Sequence, residues 1–246
     1  MLHKVEWDEK KISEFWDNTN ILVNRNEKNG GYFAQITGPS LLHKVNKIIK
    51  FKGKEIADYG SGQGFLIQEL CEKYNPKRVC GFDLSEQAVK DSEERCKKYN
   101  SFGGTALINN ISDMGNHSFD IVFLTEVIEH MSDEDINVAL NNIKSLLRED
   151  GLIVITTPND EELKNYISIC PDCGCYFHWV QHMRSWDKNT ISEYMNNNGF
   201  KEYKTLVTTL YAPEFIKPIF AKLYDIVANI LHKKQKNLIY IGVVSR

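Results

Sequence analysis

The chain has no run of about 18 apolar residues, the length a bilayer-spanning helix needs, and its opening Met1-Leu2-His3-Lys4-Val5 is not a charged-then-apolar leader. A spanning helix and a secretory signal are therefore not expected, and the expected compartment is the cytoplasm. An excess of one charge is missing too. Against 33 Asp and Glu stand 30 Lys and Arg, a net charge of −3, so the chain carries no overall basic footprint for a nucleic acid. A small-molecule substrate is expected ahead of a nucleic acid. Six cysteines do not make a disulfide framework in a chain of 246 residues, and Cys71, Cys80 and Cys96 fall in helix or strand patterns that suit buried free thiols. Disorder-prone composition is also absent: 42% hydrophobic and 26% charged residues fit one α/β domain of ordinary size with room for appendages. What charge there is lies unevenly, since from Lys201 onward 8 Lys and Arg face 3 Asp and Glu, leaving the tail basic and the rest acidic.

The stretch Glu55 to Asp83 organises the rest. It reads as a strand ending in Ile56-Ala57-Asp58-Tyr59, a loop Gly60-Ser61-Gly62-Gln63-Gly64, a helix from Phe65 to about Tyr74, and a second strand from Arg78 to Phe82. Glycines at a strand-to-helix turn let the backbone approach a ligand, and the helix behind them offers unpaired N–H groups. Asp83, at the tip of the second strand, can accept both hydroxyls of a ribose, so the unit predicts a nucleoside site. A dinucleotide fingerprint would put its third glycine where Phe65 stands, which disfavours a nicotinamide oxidoreductase. The pattern Asp58-x-Gly60-x-Gly62-x-Gly64 instead resembles the first motif of the class I S-adenosylmethionine (SAM) dependent methyltransferases. That resemblance implies that Asp58 helps to hold the methionine end, that Gly60, Gly62 and Gly64 pass under the sulfonium and ribose, and that Asp83, with Leu84 beside it, binds the ribose. It also implies that Asn110 and Ile111, after the strand Ala106-Leu107-Ile108, meet the adenine ring, with Asn110 where the family often has an acid.

Phe119 to Leu124 reads as a buried strand running into Thr125-Glu126-Val127-Ile128-Glu129-His130. If Glu126 to Met131 is helical, Glu126, Glu129 and His130 share one face and can hold a divalent ion such as magnesium with room for a substrate oxygen. The Glu-x-x-Glu-His run resembles the metal-binding motif of the ubiquinone-biosynthesis O-methyltransferases and of the small-RNA 3′-terminal 2′-O-methyltransferases. Acids favoured by a helix N-terminus are the plain alternative, and His130 as a metal-free general base is another. A further ligand has one dense source, Cys170-Pro171-Asp172-Cys173-Gly174-Cys175-Tyr176-Phe177-His178-Trp179-Val180-Gln181-His182. Cys-Pro-x-Cys-Gly resembles half of a zinc-ribbon knuckle, and Cys170, Cys173, His178 and His182 could hold zinc, with Cys175 to spare. The bland reading is a reduced loop over the pocket that lends one histidine to substrate or to the Glu126, Glu129 and His130 site.

Strands alternating with helices predict a Rossmann-like, doubly wound sheet of seven strands, mostly parallel, with an antiparallel last strand from Leu238 to Val244. Residues 1–50 are expected to form an N-terminal helical cap and residues 51–246 the methyltransferase domain. A helical stripe over 213–236, basic at its end, is expected to pack on the domain, to form a dimer face or to attach to an anionic surface. The resemblance implies an enzyme that transfers a methyl group from SAM to a small molecule, at an oxygen atom if the ion is present. An RNA 2′-O-methyltransferase and a non-catalytic SAM-binding or zinc-bearing interaction protein are the alternatives.

Overall fold

The computed structural model describes residues 2–25, 33–210 and 236–245. The expected helical stripe over 213–236 lies, but for its last residue, outside them. In chain order the elements are β1 (His3–Lys4), α1 (Glu9–Arg25), α2 (Phe33–Ile48), β2 (Glu55–Tyr59), α3 (Phe65–Lys73), β3 (Arg78–Asp83), α4 (Glu86–Cys96), β4 (Phe102–Leu107), β5 (Phe119–Thr125), α5 (Asp133–Leu146), β6 (Leu147–Pro158), β7 (Ile167–Ile169), β8 (Cys175–His178), α6 (Lys188–Asn197), β9 (Phe200–Thr208) and β10 (Asn237–Val244). Seven strands form one sheet in the order β4-β3-β2-β5-β6-β10-β9, and β10 runs antiparallel to both of its neighbours. The expected seven-stranded sheet with an antiparallel last strand is what forms. A second, three-stranded sheet, β1-β8-β7, stands beside it. Among the described residues no helix is long and apolar enough to cross a membrane.

Strand alternation sorts the core onto two faces. Val122 and Leu124 of β5 join Ile136, Leu140 and Ile143 of α5, and Ile191 and Met195 of α6, on one side. Ile121 and Phe123 turn to the other, with Leu41, Leu42 and Val45 of α2 and Leu66, Ile67 and Leu70 of α3. Helix starts follow local chemistry: Ser132 and Asp135 form a reciprocal capping box at α5, and the Ser85 hydroxyl accepts the Ala88 N–H at α4. At α6 the box is Asp187 with Thr190: Asp187 accepts two N–H groups and Thr190 returns the bond. The strand expected at Ala106 to Ile108 starts earlier, at Phe102, where Gly103 and Gly104 mask it, and Ile108 already belongs to a 3-10 turn.

The middle of β3 is closely packed. A Cβ at Gly81 would stand 2.7 Å from both Ile67 Cδ1 and Thr105 Cγ2 and 2.8 Å from Ser61 Oγ. Crowding from three sides leaves no direction of relief, so Gly81→Ala should lower the unfolding free energy by about 1–3 kcal/mol, as overpacked cores do. Urea unfolding would measure it, and a loss under about 0.5 kcal/mol would show that the neighbours yield freely.

Candidate active site at the strand ends

The parallel strands β2, β3 and β5 deliver their carboxyl ends to one edge, where ligands of open α/β sheets bind. Asp58, on β2, is 2% exposed and its Oδ1 meets no donor. Burial, and then repulsion from Asp83, push its carboxyl up to about 7. The loop after β2 turns over Asp83, whose Oδ2 accepts the Gly62 N–H at 2.8 Å and whose Oδ1 accepts the Ser85 N–H at 3.0 Å. Gly62 has φ +50, and no atom stands within 4 Å of where a Cβ would be, so the loop offers bare backbone to open space there. Leu84 is 66% exposed next to Asp83. Asn110 is exposed at the kink of the 3-10 turn Ile108–Met114, and Ile111 is half-buried.

Beyond β5 the expected helix does not form. Glu126 donates its N–H to Thr156 O at 2.9 Å, carrying the β5–β6 ladder one residue further, and takes φ +54. Only Ile128–His130 coils, as one 3-10 turn. Glu126, Glu129 and His130 therefore do not line one helical face. Instead Glu129, His130 and His182 converge, their ligand atoms within 4.8 Å of one another. Glu129 Oε1 lies 3.9 Å from His130 Nε2 and 4.0 Å from His182 Nε2, too far for hydrogen bonds.

The segment after β8 holds this group in place. Met183 donates its N–H to Glu129 O at 2.8 Å, and the Gln181 amide donates to His130 O at 2.9 Å. The Trp16 indole of α1 donates to Gln181 Oε1 at 3.0 Å and meets the His130 ring edge-on at 4.8 Å. His182 Nδ1 bonds the Glu161 carboxylate, so Nε2 faces Glu129. Asp17, one residue after Trp16, accepts the Ser85 hydroxyl at 2.9 Å, so α1 spans both halves of the site.

Electrostatically the group lacks a positive charge. Glu129 is 1% exposed, and neither of its oxygens, nor Glu126 Oε1, meets a donor in hydrogen-bond geometry. Burial pushes Glu126 up to about 8, and burial followed by the Glu126 charge pushes Glu129 well above the usual carboxylate range. The Thr156 and Thr157 hydroxyls beside them only partly oppose the shifts. Burial, and then His182, push His130 down to about 3. Glu126, Glu129 and His130 are thus each driven toward the neutral form.

The expected zinc set of Cys170, Cys173, His178 and His182 does not assemble. Along β8 successive side chains alternate between faces, so His178 points away from the side taken by Cys175. His178 is buried 3.7 Å from Glu161 and stacks on His182 with ring centroids 4.5 Å apart. Cys170, Cys173 and Cys175 gather separately.

A family model described as a methyltransferase domain matches residues 50–208. The chain belongs to the class I SAM-dependent methyltransferases. It is similar to a small RNA 2′-O-methyltransferase of Tetrahymena thermophila, 24% identical over 178 residues, which are 64% of this chain and 41% of that protein. It is also similar to a ubiquinone biosynthesis O-methyltransferase of Neisseria meningitidis, 24% identical over 143 residues, 53% of this chain and 55% of that one. The chain thus spans less than two thirds of the length of either relative. Among solved structures, the fold is shared with a 1,6-didemethyltoxoflavin-N1-methyltransferase of Burkholderia thailandensis holding S-adenosylhomocysteine, with TM-score 0.63, 13% identity, and coverage of 100% of this chain and 94% of that one.

For a member of this methyltransferase family, the orphaned Asp58 carboxylate, the open backbone at Gly62 and the acid at Asp83 fit the amine, sugar edge and ribose hydroxyls of SAM. Sequence reasoning missed Glu161, Gln181 and Trp16. Glu161 sits in the acidic run Asp160-Glu161-Glu162 and looks like surface charge, while Trp16 is one of two neighbouring aromatics, with Phe15, in an amphipathic helix. Two tests of the cofactor half follow from the geometry. Asp83→Ala should weaken SAM binding by roughly 1.5–3 kcal/mol, the range for hydrogen bonds to a charged group. Burial pushes the Asp58 carboxyl up to about 7, so it turns neutral below that pH and would lose attraction for an ammonium group placed beside it. SAM affinity should therefore decline as pH falls below about 7, and Asp58→Asn should flatten that step in calorimetric titrations. A flat profile for the native protein would contradict the assignment.

Proposed function

We propose that the chain transfers the methyl group of SAM to a hydroxyl oxygen of a small molecule, with a divalent ion held by Glu129, His130 and His182 and with Glu126 adjacent. The observation that carries this is Glu129, buried with neither carboxylate oxygen meeting a donor, beside two imidazoles and the unpartnered Oε1 of Glu126. Such a set is costly alone and fits a cation. The donors, one or two carboxylate oxygens and two imidazole nitrogens, suit zinc, manganese or magnesium rather than a soft ion. The Glu161 contact to His182 Nδ1 is the orienting carboxylate expected behind a histidine ligand, and it leaves the Nε2 lone pair directed at the group.

When bound, the ion would bind the acceptor hydroxyl and lower its pKa. The chain supplies the rest. Asp58, Asp83 and the glycine loop fix the methyl donor, and Trp16 with the segment 178–183 covers the acceptor side and keeps water out. His130, pushed down to about 3, is too weak a base to take a hydroxyl proton unaided. Glu126, pushed up to about 8 and standing outside the trio, is matched to that task near neutral pH. The hydroxyl proton passes to Glu126, the oxygen attacks the methyl carbon in line, and the sulfur–methyl bond breaks to leave S-adenosylhomocysteine. Most of the acceleration comes from alignment in a dry site.

A second reading, 2′-O-methylation of RNA, is supported by the similarity to the Tetrahymena protein, which covers more of this chain than the Neisseria match does. Aromatic cover from Trp7, Phe15, Trp16 and Phe177 and the acidic balance of residues 1–200 favour the small molecule. Tritium transfer from labelled SAM to a catechol series and to short RNAs with free 3′ ends separates the two.

In the same assay, excess chelator should abolish transfer while SAM binding survives. Glu129→Gln should lower turnover by about 10–100-fold, partly restored by added Mn²⁺. Full activity in chelator would remove the metal from the account. Metal affinity has its own pH signature. Burial holds the Glu129 proton well above the usual carboxylate range, and that proton must leave before Glu129 can ligate, so affinity should fall as the pH drops, by up to about tenfold per unit for the one proton displaced. His130 contributes nothing to that slope above about pH 4, being already neutral.

A further inference from the structure

The three-stranded sheet β1-β8-β7 is too small to hold itself together by packing. Its strands are two, four and three residues long, and Ile167 and Ile169 of β7 are 44% and 59% exposed. Strand pairs of this size are marginal in water without a further tie. Cys170, Cys173 and Cys175 lie at one end of the hairpin, with sulfurs within 4.8 Å of one another and none in a disulfide. The turn between them is a closed loop: Gly174 donates its N–H to Cys170 O at 3.0 Å, and Cys170 donates its own to Cys175 O at 2.8 Å. Gly174 takes φ +75, which draws the Cys173 and Cys175 side chains back toward Cys170.

A fourth donor comes from the far end of the chain. β1 pairs parallel with β8 in the register His3↔Cys175, fastened by His3 N–H to Gly174 O at 3.3 Å and Val5 N–H to Tyr176 O at 3.0 Å. Residues in register on neighbouring strands project from the same face, so the His3 imidazole rises on the side of the Cys175 sulfur.

We propose that Cys170, Cys173, Cys175 and His3 form a structural zinc site that clips the N-terminal strand to the β7–β8 hairpin. Three thiolates and one imidazole are a closed tetrahedral set for zinc, and sulfurs already gathered need little movement to bond at about 2.3 Å. This site stands apart from Glu129, His130 and His182 and does not depend on the proposed reaction. Its consequence reaches the reaction site, because β1 leads directly into α1. Trp7 and Phe15 pack edge-on against Phe177 of β8, and the next residue, Trp16, is the one that touches His130 and Gln181. A tie at His3 therefore fixes the helix that covers the acceptor side.

The test uses the full chain, purified reduced and without chelator, carrying Glu129→Gln and His182→Ala so that the other metal group is silent. About one equivalent of zinc is expected by elemental analysis. Replacement by cobalt should produce a thiolate-to-cobalt charge-transfer band, and zinc should protect three thiols from alkylation. Cys170→Ser with Cys173→Ser should lose all three signals. Should that variant fail to fold, the band and the thiol protection in the parent decide the matter alone. His3→Ala should keep the band but release zinc to a competing chelator about 10–100-fold more readily, with faster proteolysis ahead of residue 9. Absence of zinc uptake by the reduced protein overturns the site. Zinc uptake with His3→Ala indistinguishable from its parent overturns the clip.

Discussion

Glu129 is buried just past the end of a central strand with no donor to either of its oxygens, and Glu126 near it has one buried oxygen, Oε1, without a donor. Burial, with repulsion from neighbouring carboxylates added, drives both carboxyls toward the protonated, neutral form. The surrounding structure is arranged about that constraint. β6 fixes Glu126 through its backbone, the segment after β8 brings His182 up to Glu129, and Glu161 orients His182 from behind. Helix α1 closes over the top through Trp16. On the proposed reading, a divalent ion bound there would offset the cost of burying these groups, so that binding and the order of the site would be coupled.

Two distant parts of the chain meet at this group. Gln181 accepts from Trp16 and donates to His130, so one amide joins α1 to the turn after β5. The same helix reaches the cofactor half through Asp17 and Ser85. A movement of α1 therefore changes access to the methyl donor and to the acceptor together, which suits a reaction whose rate depends on alignment and dryness.

The cofactor half was legible in the sequence because its chemistry is local. Asp58 to Asp83 is one β-α-β unit, and Phe65, standing where the dinucleotide pattern needs a glycine, separates the two kinds of nucleoside site by residue type alone. The antiparallel last strand was legible for a similar reason, as an apolar run after a long excursion. The acceptor half was only partly legible. Glu129 and His130 could be named, but the helix expected to align them with Glu126 is displaced by one backbone bond to Thr156, a tertiary contact with no local signal. His178 and His182 looked like partners of the cysteines by proximity in sequence, whereas strand alternation along β8 sends His178 to the opposite face. Pairing of His3 with Cys175 joins residues from distant parts of the chain, and two residues of strand carry no periodicity to announce it.

The measurement that bears most directly on the central claim is anomalous diffraction from a crystal grown with Mn²⁺, collected with and without S-adenosylhomocysteine. The account predicts one peak at roughly 2.0–2.4 Å from Glu129 Oε1, His130 Nε2 and His182 Nε2, with the Glu161 contact to His182 Nδ1 retained. A site without a peak at saturating metal, its two carboxylates satisfied by protons or ordered water instead, would contradict it.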